Sequence, residues 1–96
     1  MNKYNIQKPP SEFLKELAQK IRILRKGDHL SQEELAERSG VSLGSLKRFE
    51  RTGKVSLESF LKLLLILGRL NEMDKLLLTE ENTEIIEKLF SDKTRK

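Results

Sequence analysis

The sequence predicts an all-α fold, and three observations carry that prediction. Apolar residues recur at three- and four-residue steps, as the buried face of a helix requires. Glycines stand where those runs stop, at Gly27, Gly40 and Gly68, and serines stand where new runs start, at Ser31, Ser42 and Ser56. The aromatic share is only 5%, so the core has to be built from leucine and isoleucine, which suits a helical bundle. Ninety-six residues make one small domain, of a size that often gains stability by oligomerising.

Residues 1–10 end in Pro9-Pro10, which disfavours helix in the residues before them and leaves a flexible basic arm carrying Lys3 and Lys8. That arm either frays or touches phosphate. The spacing of Leu14, Leu17, Ile21 and Leu24 predicts a first helix from Ser11 to Lys26, ended by Gly27-Asp28. His29 follows as a solvated loop residue, and a lone histidine builds no metal site. Ser31 and Glu34 form an S-x-x-E capping box, which starts a second helix at Gln32.

In that second helix Leu35 and Ala36 face inward, and the small side chain at 36 lets a neighbouring helix approach. Gly40 supplies a sharp stop, because glycine adopts positive φ at a helix end without a Cβ clash. Val41 is a buried plug and Ser42 caps the third helix. Leu46 and Phe49 then point inward, leaving Leu43, Gly44, Lys47 and Arg48 outward. Exposed amides at the start of the second helix offer an anion site.

Ser56 caps a fourth helix running to Leu67, with Leu57, Phe60, Leu61, Leu64 and Leu67 as its core stripe. A second stripe, Leu63, Ile66, Leu70, Met73 and Leu77, needs a second partner, and a dimer interface is the expectation. A short fifth helix is expected from Asn71 to Leu78. Another is expected from Thr79 through about Phe90, using Ile85, Ile86, Leu89 and Phe90, before the basic tail SDKTRK. The organisation expected is thus a flexible arm at 1–10, a helical domain at 11–78, and a C-terminal helix with a disordered basic tail at 79–96.

The stretch from Gln32 to Arg51, QEELAERSGVSLGSLKRFER, resembles the helix-turn-helix of the Cro and phage-repressor family, often called XRE. The likeness runs from about Leu14 to about Leu70. It implies a five-helix, lambda-repressor-like bundle that binds a palindromic operator in double-stranded DNA as a dimer and acts as a sequence-specific transcriptional repressor. It also implies roles for residues. Leu43, Gly44, Lys47 and Arg48 would face bases, while Gln32, Ser42, Arg51 and Lys54 would hold phosphates. Arg25 and Glu50 would form a partly buried structural ion pair, and Gln32 would lean on the recognition helix. The run TGKVSLESFLKLLLILGRLNEMDKLL is similar to HipB-like antitoxins, which implies a HipA-like kinase toxin as a possible partner.

Other classes find little support. The absence of cysteine removes disulfides, thiolate metal sites and cysteine nucleophiles. One histidine and no G-x-G-x-x-G or G-x-x-x-x-G-K motif give an enzyme almost nothing to work with, so no catalytic residue, cofactor or metal is expected. No run reaches the roughly 18 apolar residues of a membrane span, and the polar start MNKYNIQK lacks a signal-peptide region, so a cytoplasmic location is the expectation.

The net charge is +4, and its distribution matters more than its size. Residues 1–26 hold seven Lys or Arg against Glu12 and Glu16, and residues 42–54 hold Lys47, Arg48, Arg51 and Lys54 against Glu50. The rival to a regulator is an interaction module that kept the fold and lost DNA binding. Leu43 and Gly44 favour that rival, since neither side chain hydrogen-bonds, although leucine can contact a thymine methyl and glycine admits close backbone approach.

Overall fold

The computed structural model describes residues 8–78, 85 and 87–90, and no strand occurs among them. Helix α1 spans Pro10–Gly27, α2 Gln32–Ser39, α3 Leu43–Thr52 and α4 Leu57–Ile66; a 3₁₀ helix follows at Leu70–Lys75. Residues 85 and 87–90 are also helical. The all-α expectation holds, and no helix among the described residues is long and apolar enough to cross a membrane.

Local chemistry sets the boundaries. Proline sits in the first turn of α1, where its missing N–H costs nothing and its fixed φ is already helical. After α1, His29 takes φ 58° and the chain doubles back, so that the Leu30 amide donates to the Arg25 carbonyl at 3.1 Å. The capping box of α2 forms in full. Ser31 Oγ accepts from the Glu34 amide at 3.0 Å, and the Glu34 carboxylate accepts from the Ser31 amide at 2.8 Å. Donation to the carboxylate by the Ser31 amide, and then by its hydroxyl, favours the charged form and holds the Glu34 pKa below its ordinary value. Gly40 closes α2 at φ 79°, as predicted. Ser42 and Ser56 cap α3 and α4 through the amides of Ser45 and Ser59.

The core gathers Ala18 and Ile21 of α1, Leu35 and Ala36 of α2, Leu46 and Phe49 of α3, and Leu63, Leu64 and Leu67 at α4, with Leu30 and Val41 from the connections. Phe49 and Phe60 meet edge to face at 6.0 Å between centroids, a favourable aromatic geometry. Helix α3 packs on α1 and α2, and α2 also packs on α4. Gly53, at φ 83°, ends α3 directly against the backbone of Leu14, and this contact fastens the N-terminal half of α1 to the C-terminal end of α3.

Three expectations need correction. Leu63 is 0% exposed within the protomer, so it is a core residue and offers no surface to a second subunit. Leu57, expected in the core, is 66% exposed, because the inward face of α4 is centred on 63, 64 and 67. The fifth helix is a six-residue 3₁₀ helix that starts at Leu70 and ends at Lys75. Its tighter winding shows in the Leu76 amide bonding to Met73 and the Glu72 amide to Arg69. Leu77 lies beyond it at φ 68° and is 85% exposed.

At the N-terminal end, Lys3 lies outside the described residues. Lys8 folds back on α1, bonding Glu16 at 2.6 Å and standing 5.2 Å from the centroid of the Phe13 ring. Of the C-terminal expectation, residues 79–84, Ile86 and residues 91–96 fall outside the described residues. Ile85, Leu89 and Phe90 are exposed.

Candidate nucleic-acid interface

Helix α3 is fixed from behind and left bare in front. Leu46 and Phe49 are buried, and Glu50 is tied by three hydrogen bonds. Arg25 Nε donates to Glu50 Oε2 at 2.8 Å and Arg25 Nη2 to Glu50 Oε1 at 3.0 Å, the two-pronged pairing that a planar guanidinium makes with a carboxylate. Arg25 Nη1 reaches the Leu30 carbonyl at 2.9 Å, and Gln32 Nε2 donates to Glu50 Oε1 at 3.0 Å. Both members of the pair are buried, with side-chain exposures of 8% and 5%. Among the described residues no buried side-chain nitrogen or oxygen lacks a partner. The network therefore joins α1, the connection after it, α2 and the end of α3 into one rigid frame.

Gly44, Lys47, Arg48 and Arg51 are exposed on α3, as is Lys54 just beyond it. No other atom lies within 4 Å of where a Gly44 Cβ would stand, so the helix start is open. Leu43 differs from expectation. It is half-buried and packs against the core, so only part of its side chain faces outward. The Ser42 hydroxyl is engaged in starting the helix, accepting from the Ser45 amide at 3.1 Å and bonding Ser45 Oγ at 2.9 Å.

The two basic residues at 47 and 48 point about 100° apart around α3 and line different clefts. On one flank a cleft of about 500 Å³ is lined by Arg22, Arg25, Ser31, Gln32, Lys47, Glu50 and Arg51. Glu50 neutralises Arg25, whereas Arg22, Lys47 and Arg51 enter no ion pair among the described residues. Beside them stands the N-terminus of α2, whose helix dipole adds a partial positive charge. On the other flank a smaller cleft of about 220 Å³ is lined by Ser45, Arg48, Lys54, Val55, Ser56 and Ser59. An exposed helix with a basic cleft on each side has the charge to meet a polyanion along its length.

A model of the family described as helix-turn-helix matches residues 21–71. The chain belongs to this helix-turn-helix family. The family is of the XRE type and binds DNA, so DNA is the partner it implies. The match takes in α2 and α3, the Arg25–Glu50 pair and both clefts, and it leaves residues 1–20 and 72–96 outside. No curated protein and no solved structure matches the chain.

Sequence reasoning missed Arg22, Ser45 and Ser59 as lining residues. Arg22 stands one turn before Arg25 on α1, so the predicted ion pair carried a signal for it. The serines follow their N-cap residues by three positions, which places them beside the caps. Among the described residues, no cluster of His, Cys, Asp or Glu could hold a metal ion.

Proposed function

We propose that this helix-turn-helix protein is a sequence-specific transcriptional regulator, a repressor that binds a palindromic operator as a dimer in the cytoplasm. The single observation behind this reading is the arrangement of α3. Its inward side is locked by Leu46, Phe49 and Glu50, and its outward side presents Lys47, Arg48 and Arg51 to solvent. Bases are read by Arg48 and Lys47 beside the open Gly44 and the exposed part of Leu43, and phosphates are held by Gln32, Ser42, Arg51 and Lys54, joined by Arg22. Gln32 and Ser42 act through backbone amides as well as side chains, since Ser42 Oγ and Gln32 Nε2 are already bonded within the protein.

Two such helices read successive major grooves when about 34 Å apart, which requires a two-fold operator. Ile66, Leu70 and Met73, all half-buried, together with Leu77, supply the apolar surface for that dimer; Leu63 does not. Selection of bound sequences from random duplex DNA, followed by footprinting, tests the reading. A symmetric site bound on the order of a thousandfold or more above random DNA is expected. Uniform, salt-sensitive binding to every sequence would favour the rival interaction module.

The likeness of residues 52–77 to HipB-like antitoxins supports a narrower form, in which the protein represses its own operon and binds a HipA-like kinase toxin. An adjacent kinase-like gene whose product co-purifies with this chain is the expected finding. A chain that represses without any such partner remains a free-standing regulator.

A further inference from the structure

An apolar groove of about 330 Å³ opens between α1, α4 and the 3₁₀ helix, floored by Leu17, Ile21, Leu24, Phe60, Leu64 and Met73. It lies apart from the two basic clefts and shares no residue with them. Leu76, more than half exposed, stands at its edge. The same chain carries a helix with apolar residues to spare. Ile85 and Leu89, one turn apart, are 60% and 59% exposed, so the helix that bears them does not fill the groove of its own protomer.

A helix this short is marginal in water unless a surface covers its apolar side. Charge selects the surface. Residues 79–90 contain Glu80, Glu81, Glu84 and Glu87 against Lys88 alone. The α1 wall of the groove carries Lys20, which forms no ion pair among the described residues. Arg69 on the opposite rim is already matched by Glu72.

We propose that this groove receives the C-terminal helix of a second copy of the chain, with Ile85 and Leu89 in the groove and Glu87 towards Lys20. The nine residues from Leu77 to Ile85 can span at most about 30 Å, enough to cross to a neighbouring protomer. In a two-fold dimer the exchange is reciprocal, each copy giving one helix and receiving one. The inference rests on the dimer reading above and names what covers part of its apolar face.

The chain has no cysteine, so introduced cysteines report contacts cleanly. Full-length Lys20→Cys and Glu87→Cys variants are mixed under mild oxidation, and the double variant is oxidised at high dilution. A disulfide-linked dimer in the mixture, exceeding that of either variant alone, is expected. A link confined to single chains in the dilute double variant would place the helix on its own protomer and overturn the proposal, as would no link at all.

Sedimentation of wild type and Leu89→Glu completes the test. The variant, altered at an exposed site, should keep the wild-type helical content at low temperature, which shows that the body still folds. It should dimerise on the order of a hundredfold more weakly, the change expected from losing two buried leucines per dimer. A wild-type dimer unaffected by Leu89→Glu overturns the helix exchange while leaving the dimer intact. A wild-type monomer at high concentration overturns both, and operator selection still decides the DNA reading separately.

Discussion

Gly53 lies so close to Leu14 that a Cβ at position 53 would stand 2.7 Å from the Leu14 carbonyl carbon and 2.8 Å from its oxygen. The clash is with main chain, which cannot swing aside, and φ at 83° adds left-handed strain for any other residue. Gly53→Ala should therefore destabilise the domain by about 2 kcal/mol or more, combining overpacking with left-handed strain. Urea unfolding measures it; a variant within a few tenths of wild type would mean that α1 and α3 can separate at this point without penalty.

Glu50→Ala should cost roughly 3–5 kcal/mol, because it leaves the buried Arg25 guanidinium without its charge partner. The double replacement Arg25→Met, Glu50→Leu should cost much less than the sum of the single changes, since it leaves no charge stranded. Unfolding curves for the four proteins decide this. Additive losses would show that the two residues act independently.

Arg48→Ala and Lys54→Ala line the same cleft but should behave differently on DNA. Losing a guanidinium that reads a guanine should remove roughly 1–3 kcal/mol of discrimination. Losing a phosphate contact, at Lys54 or at Arg22 in the other cleft, should weaken all sequences alike and reduce the salt slope by about one unit. Competition titrations with operator and random duplex separate the two outcomes; identical losses on both DNAs for Arg48→Ala would remove it from the base-reading set.

Leu63→Ala should destabilise the protomer by about 2–5 kcal/mol, as cavity-forming changes in a core do. Leu57→Ala, at an exposed position of the same helix, should stay within about 0.5 kcal/mol of wild type. Unfolding measured at several protein concentrations also shows whether Leu63 acts through the core. A loss that vanishes at high concentration would return it to the subunit interface.

Glu34 has its pKa lowered in the folded state by the Ser31 amide and hydroxyl. Its contribution to stability is thus present above the unfolded glutamate value and is lost as pH falls through the lower, folded one. Glu34→Gln should lose less stability than wild type across that acidic range. Thermal melts from neutral pH downward test it, and parallel curves would show that the carboxylate adds nothing to the cap.

Much of this was legible because it is local. A capping box, a left-handed glycine and a serine N-cap each act within about one helical turn, so Ser31, Glu34, Gly40, Ser42 and Ser56 could be placed from spacing alone. The Arg25–Glu50 pair spans twenty-five positions and came only through family likeness. The phase of α4 could not be read. The chain is apolar at 57, 60, 61, 63, 64, 65, 66 and 67, so periodicity gives no single inward direction and Leu57 and Leu63 exchanged places. The 3₁₀ helix escaped because three-residue and four-residue steps look alike over six residues. Gly53 acquires meaning only when α1 is laid across α3, a relationship no sequence window contains.

The division of labour along α3 bears on how such a protein can change its target. The body of the domain holds α3 through Leu46, Phe49 and Glu50, with Leu43 contributing partly. Positions 44, 45, 47, 48 and 51 touch solvent, and exchanges there are nearly neutral for folding. Where α3 reads bases as proposed above, new operator preferences can accumulate one residue at a time without a compensating change elsewhere, so that duplicated copies drift apart in the sites they occupy while remaining equally stable.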